Sequence, residues 1–291
     1  MFLQQLINGI TLGSTYALIA LGYTMVYGII QLINFAHGEI FMAGSFVGLL
    51  LVTVFKMNIF LALVLAMAFC MIMGIVIEFL AYRPLRKSSR LSALISAIGV
   101  SIFLYTLAQM VFGADAKSYP ENIFPIHQIS LGSAEISTLQ LLIIGVSALL
   151  MIGLEFIVHK TKIGKAMRAT SQDYNAAALM GININQVISF TFALGSSLAA
   201  AGGVLVGIYF NAVSFNMGTM VGLKAFAAAV LGGIGSIPGA VVGGLALGVA
   251  EIMGVAAGYS SYRDAIAFTI LILVLMFRPT GIMGKKIQKK V

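Results

Sequence analysis

Continuous apolar runs, broken by short polar segments, set the pattern of this chain. The clearest lie at 59–82 ("IFLALVLAMAFCMIMGIVIEFLAY"), 91–112, 138–158 and 185–209. A helix rises about 1.5 Å per residue, so about 20 apolar residues cross a hydrocarbon core about 30 Å thick. Lipid offers backbone N–H and C=O groups no partner, which restricts spans to helices or closed barrels. The period-two alternation of a barrel strand is absent, and helices are predicted. Further runs at 6–29 and 37–56 flank "IIQLINFAHGE", and two more, 222–235 and 239–257, meet near "GSIPG". A last run, 264–278, reaches span length only by starting inside "YSSYRD". The pattern predicts an all-α polytopic membrane protein of nine spans, give or take one, hence about 8–10 transmembrane helices in a single domain over 1–291.

Composition agrees. Of 291 residues, 60% are hydrophobic and 9% charged, where a soluble domain carries about a quarter charged. The formal charge of +8 is concentrated. Thirteen of the 17 Lys and Arg residues fall in "RPLRKSSR" (Arg83, Arg86, Lys87, Arg90), "HKTKIGKAMR" (Lys160, Lys162, Lys165, Arg168) and the tail (Arg278, Lys285, Lys286, Lys289, Lys290). Short basic segments between spans mark the cytoplasmic side and argue against nucleic acid as partner. The longest polar stretch between spans, 113–137, holds Asp115, Glu121 and Glu135 against Lys117 and falls on the outer side. The N-terminal "MFLQQLINGITLGSTYALIALGY" lacks a basic n-region and a small-residue cleavage site, so it reads as a retained first span. The N-terminus is then expected outside and the C-terminus inside.

Chemistry is sparse. The single cysteine, Cys70, lies in an apolar run and forms no intrachain disulfide or CxxC metal cluster. His37, His127 and His159 are dispersed, and no H-E-x-x-H, G-x-S-x-G or GxxxxGK[ST] segment occurs. A catalytic centre, a metal and a cofactor bound by this chain are therefore not expected. Ionisable groups at membrane depth cost about 2.5–3.5 kcal/mol each on insertion scales and point to function. The densest polar knot is "NFAHGE", with Asn34, His37 and Glu39; a second candidate is Glu251. The knot lines a substrate pathway if it is a discontinuous helix, and Glu251 is a further pathway candidate. The alternative for the knot is a membrane-edge turn that fixes the fold, and for Glu251 a pairing with another span or a place near the outer interface. Glu78 with Arg83, and Glu155 with His159 and Lys160, read as interfacial pairs. Gly235, Gly239 and Gly243 recur every four residues, as do Gly244 and Gly248, which predicts close helix packing.

One polar, helix-prone stretch stands out: "GKAMRATSQDYNAAALMGINI", 164–184, within a basic loop of about 159–184. Thr170 and Asp173 form a T-x-x-D variant of the capping box, three alanines follow, and Gly181 supplies a stop. Such a helix is too short to be stable alone and needs something packed on its small-residue face. Asn175-Ala176-Ala177-x-x-x-Gly181 resembles the E-A-A-x-x-x-G loop of ABC importer permeases, with Asn for Glu and without the I-x-L-P that often follows. "NGITLGSTYALIALGYTMVYGIIQLINFAHGEIFMAGSF" and "LKAFAAAVLGGIGSIPGAVVGGLALGVAE" resemble LivH-type permease subunits of branched-chain amino acid ABC importers, as does "GKAMRATSQDYNAAALMGININ". The three blocks are in family order, and the likeness covers nearly the whole chain.

The resemblance implies a type II ABC importer-like permease in a bacterial inner membrane, moving leucine, isoleucine and valine by alternating access. A second related permease, two cytoplasmic ATPase subunits that use ATP, and an external substrate-binding protein are its implied partners. Arg168, Asp173, Asn175, Ala176, Ala177 and Gly181 then belong to a coupling helix that docks on an ATPase. Urea and short-amide importers use similar permeases and stay open as alternatives. So does an ion-gradient-driven secondary transporter, which would place its acids in a relay.

Overall fold

The computed structural model describes residues 2–86, 88–120, 123–132 and 134–284; Lys87, Glu121, Lys285, Lys286, Lys289 and Lys290 lie outside these. The chain forms α1 (Phe2–Ile30), α2 (His37–Thr53), α3 (Ile59–Ile77), α4 (Arg90–Phe112), β1 (Gln128–Leu131), β2 (Ala134–Ser137) and α5 (Thr138–Lys160). There follow α6 (Lys162–Gln172), α7 (Tyr174–Leu179), α8 (Ile184–Tyr209), α9 (Met217–Gly232), α10 (Ile237–Ala256) and α11 (Arg263–Phe277). A wide π turn, Glu78–Tyr82, extends α3, and a 3-10 turn, Ser260–Tyr262, leads into α11. Seven of these helical stretches are long and apolar enough to cross a membrane; α2 and α9 are apolar but only 17 and 16 residues long.

The two faces of the bundle are chemically distinct. On one, Gln4 exchanges two hydrogen bonds with the backbone of Glu135 (2.9 and 2.8 Å), and Gln140 donates to Asn8 (2.8 Å), so α1 starts beside the β1–β2 hairpin. That antiparallel hairpin, Gln128↔Ser137 to Leu131↔Ala134, was not expected from the sequence. The opposite face carries the end of α1, the basic segments after α3 and α5, and the turn between α9 and α10. The predicted spans 59–82, 91–112 and 185–209 match helical stretches to within a residue or so, and the run at 138–158 extends to Lys160.

α1 and α8 form the centre and are almost wholly buried, while α3, α4, α5 and α11 present large apolar side chains outward. Small residues make that centre possible. α1 and α10 pack antiparallel with backbones nearly touching: a Cβ on Gly13 would lie 2.7 Å from the Leu245 Cα, and one on Gly244 would lie 2.6 Å from the Ala17 Cα. Without a hydrophobic drive between helices in lipid, such close approach supplies the dispersion contact that holds the pair. On the next face of α10, a Cβ on Gly239 would lie 2.5 Å from the Gly232 carbonyl oxygen of α9, and Gly243 abuts Ala228. Gly235 does not continue this row. It sits in the turn before α10 at φ +92°, and Ser236 caps the helix from outside it.

Candidate functional site

α1 ends in a left-handed Gln31 (φ +54°), and residues 31–34 run back into the bundle without helical structure. The His37 ring lies under Gly22 and hydrogen-bonds the Ile19 carbonyl at 3.2 Å. A carbonyl only accepts, so Nε2 carries the proton. Ile19 and Gly22 precede the end of α1 by eleven and eight residues, which at helical rise puts the start of α2 about 12–17 Å inside that end. From there α2 climbs to the hairpin face, where Tyr119 donates to the Ser45 carbonyl at 3.1 Å. α9 runs the other way, to the basic face, where its last carbonyls accept from Ile282 and Met283 at 2.9 Å.

The first turns of α2 and α9 meet. A Cβ on Gly218 would lie 2.6 Å from the Gly38 carbonyl oxygen and 2.7 Å from Glu39 Oε2. Neither helix has a side-chain cap on its N-terminus, unlike α3 to α8 and α10. Two positive helix ends thus converge on one carboxylate. Glu39 is 1% exposed. Its Oε1 accepts from Thr219 (3.1 Å) and Ser101 (3.3 Å), whereas Oε2 has no hydrogen-bond partner. Glu39, Ser101, Thr219 and Gly38 line a cleft of about 160 Å³ whose apolar wall is Tyr23, Phe35, Ile98 and Leu223.

The neighbours of Glu39 in the polar knot have other work. Asn34 Oδ1 accepts from the Tyr82 hydroxyl (2.9 Å) and the Ala36 N–H (3.1 Å), tying the return segment to the π turn. His37 braces α1 against α2. Glu251 lies apart from the cleft: it accepts from Tyr16 (2.9 Å) and Lys224 (3.0 Å) and pairs with Arg263. Of the readings open for Glu251, the pairing with another span is present, with Lys224 of α9 and Arg263 of α11. Lys224 also pairs with Asp264 at 2.6 Å. The partners were not named from the sequence, although a lone lysine inside "GLKAFAAAV" was their signal.

The loop expected to hold one short helix holds two. α6 starts at Thr161, whose hydroxyl accepts from Gly164 N–H (3.1 Å). Gly164 is pressed against the last carbonyls of α5, and Arg168 hydrogen-bonds the Val158 carbonyl there. Thr170 is buried inside α6 and caps nothing; instead Asp173 caps α7, accepting from Asn175 N–H (2.8 Å) and Ala176 N–H (3.0 Å). A Schellman motif closes α7: Ile182 N–H donates to the Ala177 carbonyl (3.1 Å), Gly181 N–H to that of Ala178 (3.0 Å), and Gly181 takes φ +82°. Ala177 faces inward at 3% exposure, so the outward surface is formed instead by Asn175, Ala176, and the bare apolar pair Leu179 (88%) and Met180 (83%).

α7 also touches the site's foundation. The Tyr174 hydroxyl donates to the Ile29 carbonyl at 2.6 Å, two residues before the break at Gln31. Burial raises the Tyr174 phenol above its ordinary range, with Arg86 acting against it, so the phenol stays a neutral donor. Arg86 is itself lowered by burial. It pairs with fully buried Glu78, which also binds Arg83 (3.2 Å) and accepts from Ser189 on α8 (2.6 Å). Glu155 and His159 form an exposed pair at 3.0 Å. Among the described residues, no group of three or more His, Cys, Asp or Glu is placed to hold a metal ion.

Residues 5–275 match the family model described as branched-chain amino acid transport system / permease component. The chain is 46% identical over 301 residues to the high-affinity branched-chain amino acid transport system permease protein BraD of Pseudomonas aeruginosa, covering 100% of this chain and 98% of that protein. To LivH of Escherichia coli, a permease protein of the same description, it is 45% identical over 305 residues, with 100% and 98% covered. In fold it is similar to a chain of the solved structure titled PsaBC from Streptococcus pneumoniae in complex with Fab, with a TM-score of 0.52, 16% identity, and 96% and 93% of the two chains covered.

Proposed function

The chain belongs to the family of permease components of branched-chain amino acid transport systems, and on that premise we propose that it is the LivH-type permease of an ATP-driven importer for leucine, isoleucine and valine. It is a multi-pass membrane component, not an enzyme. The placement is a bacterial inner membrane, with the basic face and C-terminus in the cytoplasm. A second related permease completes the path, two ATPase subunits dock on the cytoplasmic side, and an external binding protein delivers substrate.

The observation that carries this reading is the α6–α7 unit. It is capped at both ends and offers exposed Leu179 and Met180 to a partner. Inward, it holds the Ile29 carbonyl through Tyr174. A push on α7 by an ATPase would therefore be felt at the end of α1 and in the return segment leading to Glu39. Alternating access follows if that push shifts the junction of α2 and α9 between outward and inward openings. An ion-gradient mechanism needs linked acids; here Glu78 and Glu251 are locked in separate ion pairs and form no relay with Glu39.

The test is affinity purification of the tagged chain in mild detergent, then reconstitution of what accompanies it. Recovery of a second permease and Walker-motif ATPases, with ATP-dependent leucine uptake in proteoliposomes, is the expected result. A lone chain that carries leucine without ATP would overturn the proposal.

A further inference from the structure

Three acidic side chains are buried among the described residues: Glu39, Glu78 and Glu251. Two bring their own cations, Arg83 and Arg86 for Glu78, Lys224 and Arg263 for Glu251. Glu39 has none. A buried carboxylate with an open oxygen is costly, and in a working site that cost is met when a passing cation supplies the missing donor. The N-terminus of α9 beside it offers N–H groups to an anion, whereas the first N–H groups of α2 are already taken, His37 by the Asn34 carbonyl and Glu39 and Ile40 by that of Ala36. The wall opposite is apolar, formed by Tyr23, Phe35, Ile98 and Leu223.

We propose that the junction of α2 and α9 is a transient receptor for a zwitterionic amino acid, with Glu39 Oε2 taking the α-ammonium, the α9 N-terminus the carboxylate, and the apolar wall the branched side chain. This rests on the importer reading above. At about 160 Å³ the cleft is smaller than the ~300 Å³ and upward of a closed ligand pocket. It is half a site, and the facing permease surface supplies the other half. A half-site holds its ligand weakly, as a transport path requires: substrate must leave as readily as it arrives. Ser101 and Thr219 are positioning residues that fix the Glu39 carboxylate through Oε1 and leave Oε2 without a hydrogen-bond partner.

Two measurements on the assembled permease–ATPase complex test this. Leucine uptake into proteoliposomes is compared for the wild type and Glu39→Gln, which keeps the shape and loses the charge. Loss of one charge-assisted hydrogen bond predicts a fall in leucine uptake of about 10- to 100-fold, with the complex recovered in normal yield. Uptake by Glu39→Gln within twofold of the wild type overturns the receptor while leaving the importer standing. A wild-type complex that moves no leucine overturns both. The second measurement needs no variant. Saturation-transfer NMR on the wild-type complex in nanodiscs, without binding protein, compares millimolar leucine with 4-methylpentanoate, which keeps the branch and carboxylate but lacks the ammonium. Contact by leucine alone is expected. Equal signals from the two compounds would remove the role of Glu39.

Discussion

Leu179 and Met180 are the sharpest point at which the coupling reading can fail. They stand 88% and 83% exposed at the end of a six-residue helix, on the face that carries the basic loops. Complete burial of a leucine or methionine side chain contributes about 1.5–3 kcal/mol. If docking buries about half of each, the pair contributes about 1.5–3 kcal/mol to ATPase binding, or about 10- to 150-fold in Kd. The double substitution Leu179→Ser, Met180→Ser removes that contribution without touching what builds α7, namely the Asp173 cap, inward Ala177 and the Gly181 closure. Binding of purified ATPase to the permease pair in nanodiscs gives the Kd, and thermal unfolding of the permease checks its fold. The expected result is a Kd at least about tenfold weaker with an unchanged unfolding midpoint. A Kd within twofold of the wild type would refute the assignment of this tip to ATPase docking. Ala177→Arg, aimed at the small-residue face, is the poorer probe. Ala177 is buried, so arginine there disrupts α7 itself and lowers association for a trivial reason.

Three other substitutions follow from the packing. Tyr174→Phe removes the hydrogen bond to the Ile29 carbonyl and nothing else in volume; ATP hydrolysis should persist while leucine uptake per ATP falls severalfold, measured side by side in proteoliposomes. Gly248→Val drives a side chain into the backbone of Gly13 on α1, and overpacking of this kind costs about 1–3 kcal/mol, visible as a lower unfolding midpoint in detergent. Glu251→Gln strands Lys224 and Arg263 with Asp264 alone and should cost about 3 kcal/mol in stability by denaturant titration, the low end for breaking a buried pair because Arg263 is partly exposed.

What the sequence made legible was whatever depends on one segment at a time. The spans at 59–82 and 91–112 face outward over much of their length, so continuous apolarity alone identifies them. The stop at Gly181 is local backbone chemistry and is also readable. The start of α7 was misplaced because Thr170 and Asp173 have capping spacing by coincidence: Asp173 is the cap, and Thr170 is inside the preceding helix. Gly235 was misplaced for a similar reason, since a four-residue count runs unbroken through a turn that the chain does not.

The polar knot shows where local reading must stop. Asn34, His37 and Glu39 share six residues and one degree of polarity, yet their duties are separated by contacts 18, 48 and 180 positions away, with Ile19, Tyr82 and Thr219. Two of the three are consumed in building a break that the third uses. The break is also possible only because glycine stands at each crossing. His37 seats on Gly22, and Gly38 meets Gly218, so any side chain at these positions would push the two helix ends apart and take the open oxygen of Glu39 away from the cleft. The glycines and the carboxylate are thus one device: the first bring two positive helix ends together inside the membrane, and the second is the acid those ends face, with no Lys or Arg paired to it among the described residues.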